Sequence, residues 1–97
     1  MKNGLIISNN GTKFWYQNDK RHRIDGPAIE GADGSKSWWL NDKLHRIDGP
    51  AYEGADGTKE WWLNGIEYSK LDYYNELLKR NLISRELYLL RIAEDIF

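Results

Sequence analysis

The chain has 97 residues, enough for one small domain, with 40% hydrophobic side chains, 30% charged ones and a net charge of −1. That balance suits a globular protein; it excludes the basic surface of a general nucleic-acid binder and equally a strongly acidic mimic of nucleic acid. Cysteine is absent, which excludes a disulfide or a thiolate zinc site and fits a reducing compartment.

The chain opens with MKNGLIISNNG, whose only apolar run is Leu5, Ile6 and Ile7. This is too short for a signal peptide or a membrane span, so the expected location is the cytoplasm. Next comes a repeat. HRIDGPAIEGADGSKSWWLND (22–42) is followed by HRIDGPAYEGADGTKEWWLNG (45–65), a shift of 23 positions. The same shift lays LIISNNGTKFWYQNDKR (5–21) under AIEGADGSKSWWLNDKL (28–44). It aligns Gly11 with Gly34 and Gly57, and Trp15 with Trp38 and Trp61. Three units are therefore expected over 4–68, the first divergent as terminal units of repeat proteins are.

Each unit reads as a β-hairpin. PAIEG and PAYEG open a strand, ADGS and ADGT turn it, and KSWWLN and KEWWLN return it. A three-residue turn with a bulge at Gly34 would set Glu30 opposite Lys36 and Glu53 opposite Lys59. A two-residue turn would set Glu53 opposite Glu60, so the bulged turn is preferred. NDKLHRIDGP is read as a connector. Three hairpins then give six strands in one antiparallel meander. Alternation puts Trp15, Trp38 and Trp61 on one face with Leu40 and Leu63, and Tyr16, Trp39 and Trp62 on the other.

The repeat stops after Tyr68. Ser69 and Asp72 are spaced as a helix cap, and Leu71, Tyr74, Leu77 and Leu78 recur at helical spacing. Asn81 ends that helix, and Ser84 caps a second with Leu87, Leu90, Ala93 and Phe97 on one face. Residues 69–97 hold five basic and five acidic side chains, so the tail is no basic recognition helix. The expected class is α+β: three 23-residue hairpin repeats in one meander sheet, capped by a C-terminal helical hairpin, as a single domain over 1–97.

The repeated His-Arg-x-Asp invites a catalytic reading, with His22 or His45 beside Asp25 or Asp48 as an acid–base pair. Against it, the motif is copied with its frame, and equivalent residues of stacked hairpins lie roughly 9.6 Å apart. Nitrogens sharing a metal must each lie about 2.0–2.1 Å from it, so regular stacking keeps His22 and His45 off a common ion. Asp-Gly-Pro is a turn signature, and Arg23 and Arg46 have Asp25 and Asp48 to pair with or an indole to stack over. On this reading His22, Asp25, His45 and Asp48 form the joint between hairpins. Tyr68 replaces His where no further hairpin follows. A ligand reading stays open, with indoles and Arg donors holding a nucleotide, although Gly26, Gly31 and Gly34 match no phosphate loop.

The units HRIDGPAIEGADGSKSWWLND and HRIDGPAYEGADGTKEWWLNG, with NGIEYSKLDYYNELL after them, resemble short repeat proteins of tailed phages and giant viruses, similar to variant MORN repeats. The likeness covers residues 5 to about 78 and departs from the Tyr- and Gly-rich units of ordinary MORN repeats. It implies stacked hairpins and a small accessory protein acting on host defences. The expectation is a non-enzymatic, cofactor-free protein of the host cytoplasm that binds and inhibits a host defence protein, as an anti-CRISPR does. Neither membrane nor nucleic acid is expected as partner, and homodimers are allowed for. The expected contact surface is Tyr16, Trp39 and Trp62, bordered by Arg23 and Arg46. The alternatives are a nucleotide-sequestering sponge and a structural protein associating through its sheet.

Overall fold

Two kinds of turn set the sheet. In the computed structural model, which describes residues 1–94, the strands are β1 (Gly4–Ile7), β2 (Lys13–Gln17), β3 (Lys20–Arg21), β4 (Ile29–Glu30) and β5 (Lys36–Ser37). They continue as β6 (Trp39–Leu40), β7 (Lys43–Leu44), β8 (Tyr52–Glu53), β9 (Lys59–Leu63) and β10 (Ile66–Tyr68), before helices α1 (Lys70–Lys79) and α2 (Arg85–Ala93). Every pairing is antiparallel. The main sheet runs β1-β2-β4-β5-β8-β9-β10, with β3 also on β2 and β6 paired with β7.

The first kind of turn is the glycine loop. Gly34 has φ +94°, the left-handed conformation that a side chain resists. The Gly31 amide donates to the Ser35 carbonyl at 2.8 Å, closing a three-residue loop. Glu30 then faces Lys36, and Glu53 faces Lys59, which is the register the charge pairs favoured. Lys13 also faces Glu30, and Lys36 faces Glu53. The result is a row of alternating charge, Lys13-Glu30-Lys36-Glu53-Lys59, across five strands.

The second kind corrects the six-strand expectation: the connector is itself a hairpin. Asn18-Asp19, Asn41-Asp42 and Asn64-Gly65 all have positive φ at both positions, between 50° and 79°, as type I′ turns require. These turns pair β2 with β3, β6 with β7, and β9 with β10. β3 and β4 thus lie end to end along one edge of β2, and the segment between them (22–28) loops out over the sheet. Residues 45–51 loop out in the same way between β7 and β8.

The tail follows its caps. The Ser69 hydroxyl accepts from the Asp72 amide and the Ser84 hydroxyl from the Leu87 amide, each at 3.1 Å. Asn81 takes a left-handed φ of 57° just beyond α1. The packed faces differ from the periodic reading. Tyr73, Tyr74 and Leu77 are buried from α1, with Leu63 beneath them and Tyr88 and Ile92 of α2 against them. Leu71 is 52% exposed and Leu90 57%, and Phe97 lies outside the described residues. The core sits at one end of the sheet, on the side of Trp61 and Leu63. Among the described residues no helix is long and apolar enough to cross a membrane.

Candidate functional site

Strand alternation places Tyr16, Trp39 and Trp62 on one face, opposite the side that α1 covers. Their cross-strand neighbours are Arg21, Leu44 and Glu67. The face therefore carries a row Tyr16-Arg21-Trp39-Leu44-Trp62-Glu67. A second row runs beside it: Phe14 faces Ile29, Ser37 faces Tyr52, and Tyr52 faces Glu60. The three predicted rings are partly exposed. Trp39 donates its indole N–H to the Ser37 hydroxyl at 2.7 Å and Trp62 to the Glu60 carboxylate at 3.0 Å. Those bonds fix the ring planes.

The cations on this face are not the predicted ones. The Arg21 guanidinium lies 3.8 Å over the Trp39 ring and the Lys2 ammonium 4.9 Å over Tyr16. Arg21 also pairs with Asp42 at 2.9 Å, and that hydrogen bond holds the Asp42 carboxyl below the usual carboxylate range. Arg21 was missed because its strand was read as connector; once the Asn-Asp turn is recognised, Arg21 falls opposite Tyr16 by counting.

Arg23 and Arg46 lie on the other side of the sheet, which corrects the expectation that they border Tyr16, Trp39 and Trp62. Arg23 stacks 3.8 Å over Trp15 and Arg46 3.7 Å over Trp38. Arg23 reaches Asp25 at 2.9 Å, Glu30 at 3.1 Å and the Pro27 carbonyl at 3.1 Å. Arg46 repeats the set with Asp48 at 2.8 Å, Glu53 at 3.0 Å and the Pro50 carbonyl at 2.9 Å. Looping out turns these side chains back onto the tryptophan face, an outcome that strand alternation does not govern.

The two histidines are engaged elsewhere. His22 Nδ1 accepts from the Asn41 amide at 3.1 Å, and His45 Nδ1 from the Asn64 amide at 3.0 Å. Each imidazole thus ties its loop to the next type I′ turn, and neither ring is bonded to the aspartate three residues on. Burial, and then the charge of Arg80, push the His45 pKa below its usual value, which suits a ring that must keep a lone pair.

Behind the arginines, Arg23–Pro27 and His45–Asp48 flank an open cleft of about 690 Å³ floored by Trp38 and Leu40. Comparison with protein-family models, with curated proteins and with solved structures finds no match.

Proposed function

We propose that the chain is a non-enzymatic binding protein of three stacked 23-residue units with a helical cap, and that it engages a partner protein through the face bearing Tyr16, Trp39 and Trp62. The observation that carries this reading is the position of the tail. Helix α1 packs on Leu63, so the opposite side of a one-layer sheet keeps the row Tyr16-Trp39-Trp62, with Phe14 and Tyr52 beside it, in reach of a partner. Rigid aromatics with an arginine among them are what the energetic centre of an interface uses. The groups that acid–base chemistry would need support the non-catalytic part. Each histidine takes a backbone amide and each aspartate of the motif takes an arginine. Arg23 and Arg46, the donors that a nucleotide phosphate would need, are each held by two carboxylates. This weighs against the nucleotide sponge. The resemblance to phage repeat proteins supplies the class of partner, a host defence component such as a CRISPR effector, inhibited by surface contact in the host cytoplasm.

The test is capture from a bacterial host lysate by the tagged chain and by a variant carrying Trp39→Ala and Trp62→Ala, with circular dichroism on both. Interface tryptophans typically cost about 2 kcal/mol or more on truncation, so the variant should stay folded and lose its captured protein. A captured protein retained by the folded variant overturns the assignment of this face.

One observation favours a second reading, self-assembly. The outer edge of β1 pairs with no described strand, and Leu5, Ile6 and Ile7 there are 48%, 39% and 57% exposed. Such an edge is a template for pairing with another chain. Sedimentation velocity tests this second reading: edge assembly gives a concentration-dependent dimer that Ile6→Lys abolishes, and a monomer, or a dimer that Ile6→Lys leaves intact, overturns it.

A further inference from the structure

The cleft over Trp38 and Leu40 has a filled counterpart in the same chain. Shifted by 23 positions, its floor becomes Trp61 and Leu63, and its first wall becomes residues 46–50. There α1 occupies the space. Tyr73, Tyr74 and Leu77 close over Leu63, which is 0% exposed. The Tyr73 hydroxyl shares its one proton between the carbonyl oxygens of Arg46 and of Gly49, the latter at 3.0 Å. The matching oxygens of the open cleft are those of Arg23 and Gly26, and no described residue donates a hydrogen bond to either of them.

Equivalent residues record the difference. Ile24 is 86% exposed and Ile47 45%. Gly26 and Leu40 are partly exposed, whereas Gly49 and Leu63 are buried. The cleft thus shares its floor and first wall with that slot and lacks the helix; its second wall differs, because Arg46 lies 3.7 Å over Trp38 where the third unit has Ser69.

We propose that this cleft receives a tyrosine-bearing helix of a partner protein, seated as α1 is seated over Leu63. The tyrosine ring covers Leu40, and its hydroxyl proton is shared between the carbonyl oxygens of Arg23 and Gly26. Those oxygens only accept, so the ligand must bring a donor. Phenylalanine lacks one. Phosphotyrosine has lost its phenolic proton and so lacks one too. Spacing agrees with a helix as carrier. Successive slots lie two strand spacings apart, roughly 9.6 Å, within the interaxial distance of packed helices, about 8–10 Å. The incoming helix would lie alongside α1, and Ile47, which lines the cleft, also lines a depression beside Leu82 and Leu87 of the tail. This slot is on the opposite side from Trp39 and Trp62, so it stands or falls independently of the aromatic face.

The probe is a helix-stapled peptide with the sequence of residues 69–80, titrated into the full-length protein and followed by amide NMR shifts. The expected result is shifts at Ile24, Gly26, Leu40 and Ile47, with binding weakened about tenfold by Tyr73→Phe in the peptide. Ile24→Asp in the protein, at a position too exposed to affect folding, should weaken binding as well. Three results overturn the proposal. They are no shifts at millimolar peptide, shifts confined to the Trp39 face or to the Gly49 slot, and equal binding by the Tyr73→Phe peptide.

Discussion

Arg46 shows how much one side chain contributes when its geometry is shared. Its guanidinium lies 3.7 Å over the Trp38 ring and meets Asp48, Glu53 and the Pro50 carbonyl, and its side chain is 19% exposed. Asp48 is 79% exposed, so that pair alone is screened and contributes little. The stack and the bonds on the sheltered side make up the difference. Arg46→Ala should therefore destabilise by about 2–4 kcal/mol in urea unfolding, and Asp48→Asn by under about 1 kcal/mol. Lysine keeps the charge but loses the fork and the planar stack, so Arg46→Lys should fall between them. Gly49 serves the same residue: a Cβ there would lie 3.1 Å from the Arg46 Cζ, so Gly49→Ala displaces a group held on several sides. The pairing of Arg with Asp two residues on was legible in the sequence, because it is local. The face was not, because these residues sit in a loop, where period-two alternation does not apply.

Between elements, the histidines and Tyr73 fasten what the strands leave apart, and the His45 fastening is pH-dependent. His45 accepts the Asn64 amide through Nδ1, and burial together with Arg80 holds its pKa below the usual imidazole value. The folded state then binds fewer protons than the unfolded chain once pH falls below about 6.5. Stability is full above that value and is lost as pH drops through the lower folded pKa. A melting series from about pH 7.5 to about pH 5 should show this decline, and His45→Gln, which keeps an acceptor that does not titrate, should flatten it. The carboxyls of Asp33 and Asp56, held low by Ser35 and Thr58, act in a separate window below about pH 4. Tyr73 is the counterpart fastening: Tyr73→Phe strands two carbonyl oxygens and should cost about 1–3 kcal/mol. At this scale the turns and caps were the legible part. Gly34, Ser69 and Ser84 each signal through their own backbone needs. The Asn-Asp turns were missed because no glycine marks them, although Asn64-Gly65 carries the strongest short hairpin signal there is. Tyr73 was missed because helical spacing selected Leu71, and a contact with a loop 24 residues away leaves no periodic trace.

The whole molecule is long for its size. Its radius of gyration is 14.6 Å and its extents are 42 × 28 × 19 Å, whereas a compact chain of this length would have a radius near 12.5 Å. A sheet with helices over one end explains the shape, and it makes stability uneven along the chain. Leu63, Tyr73, Tyr74 and Leu77 form the buried cluster, while β1 has no buried residue. If the units stack as proposed, each contributes its own stability plus that of its interface with the next. The end without a helix should then open before the end with one. Hydrogen exchange should find the amides of β1, β2 and β3 exchanging through local opening, well ahead of global unfolding. Those of β9, β10 and α1 should exchange only with the whole molecule. Leu77→Ala, at a cost of about 2–5 kcal/mol, should pull the protected end down toward the exposed one and narrow the gap. Ile6→Lys at the far edge should leave the protected end unchanged. Uniform protection along the chain, or a gap that Leu77→Ala leaves intact, would mean that the sheet unfolds as one unit. The tail would then stabilise every strand equally, against the unit-by-unit reading.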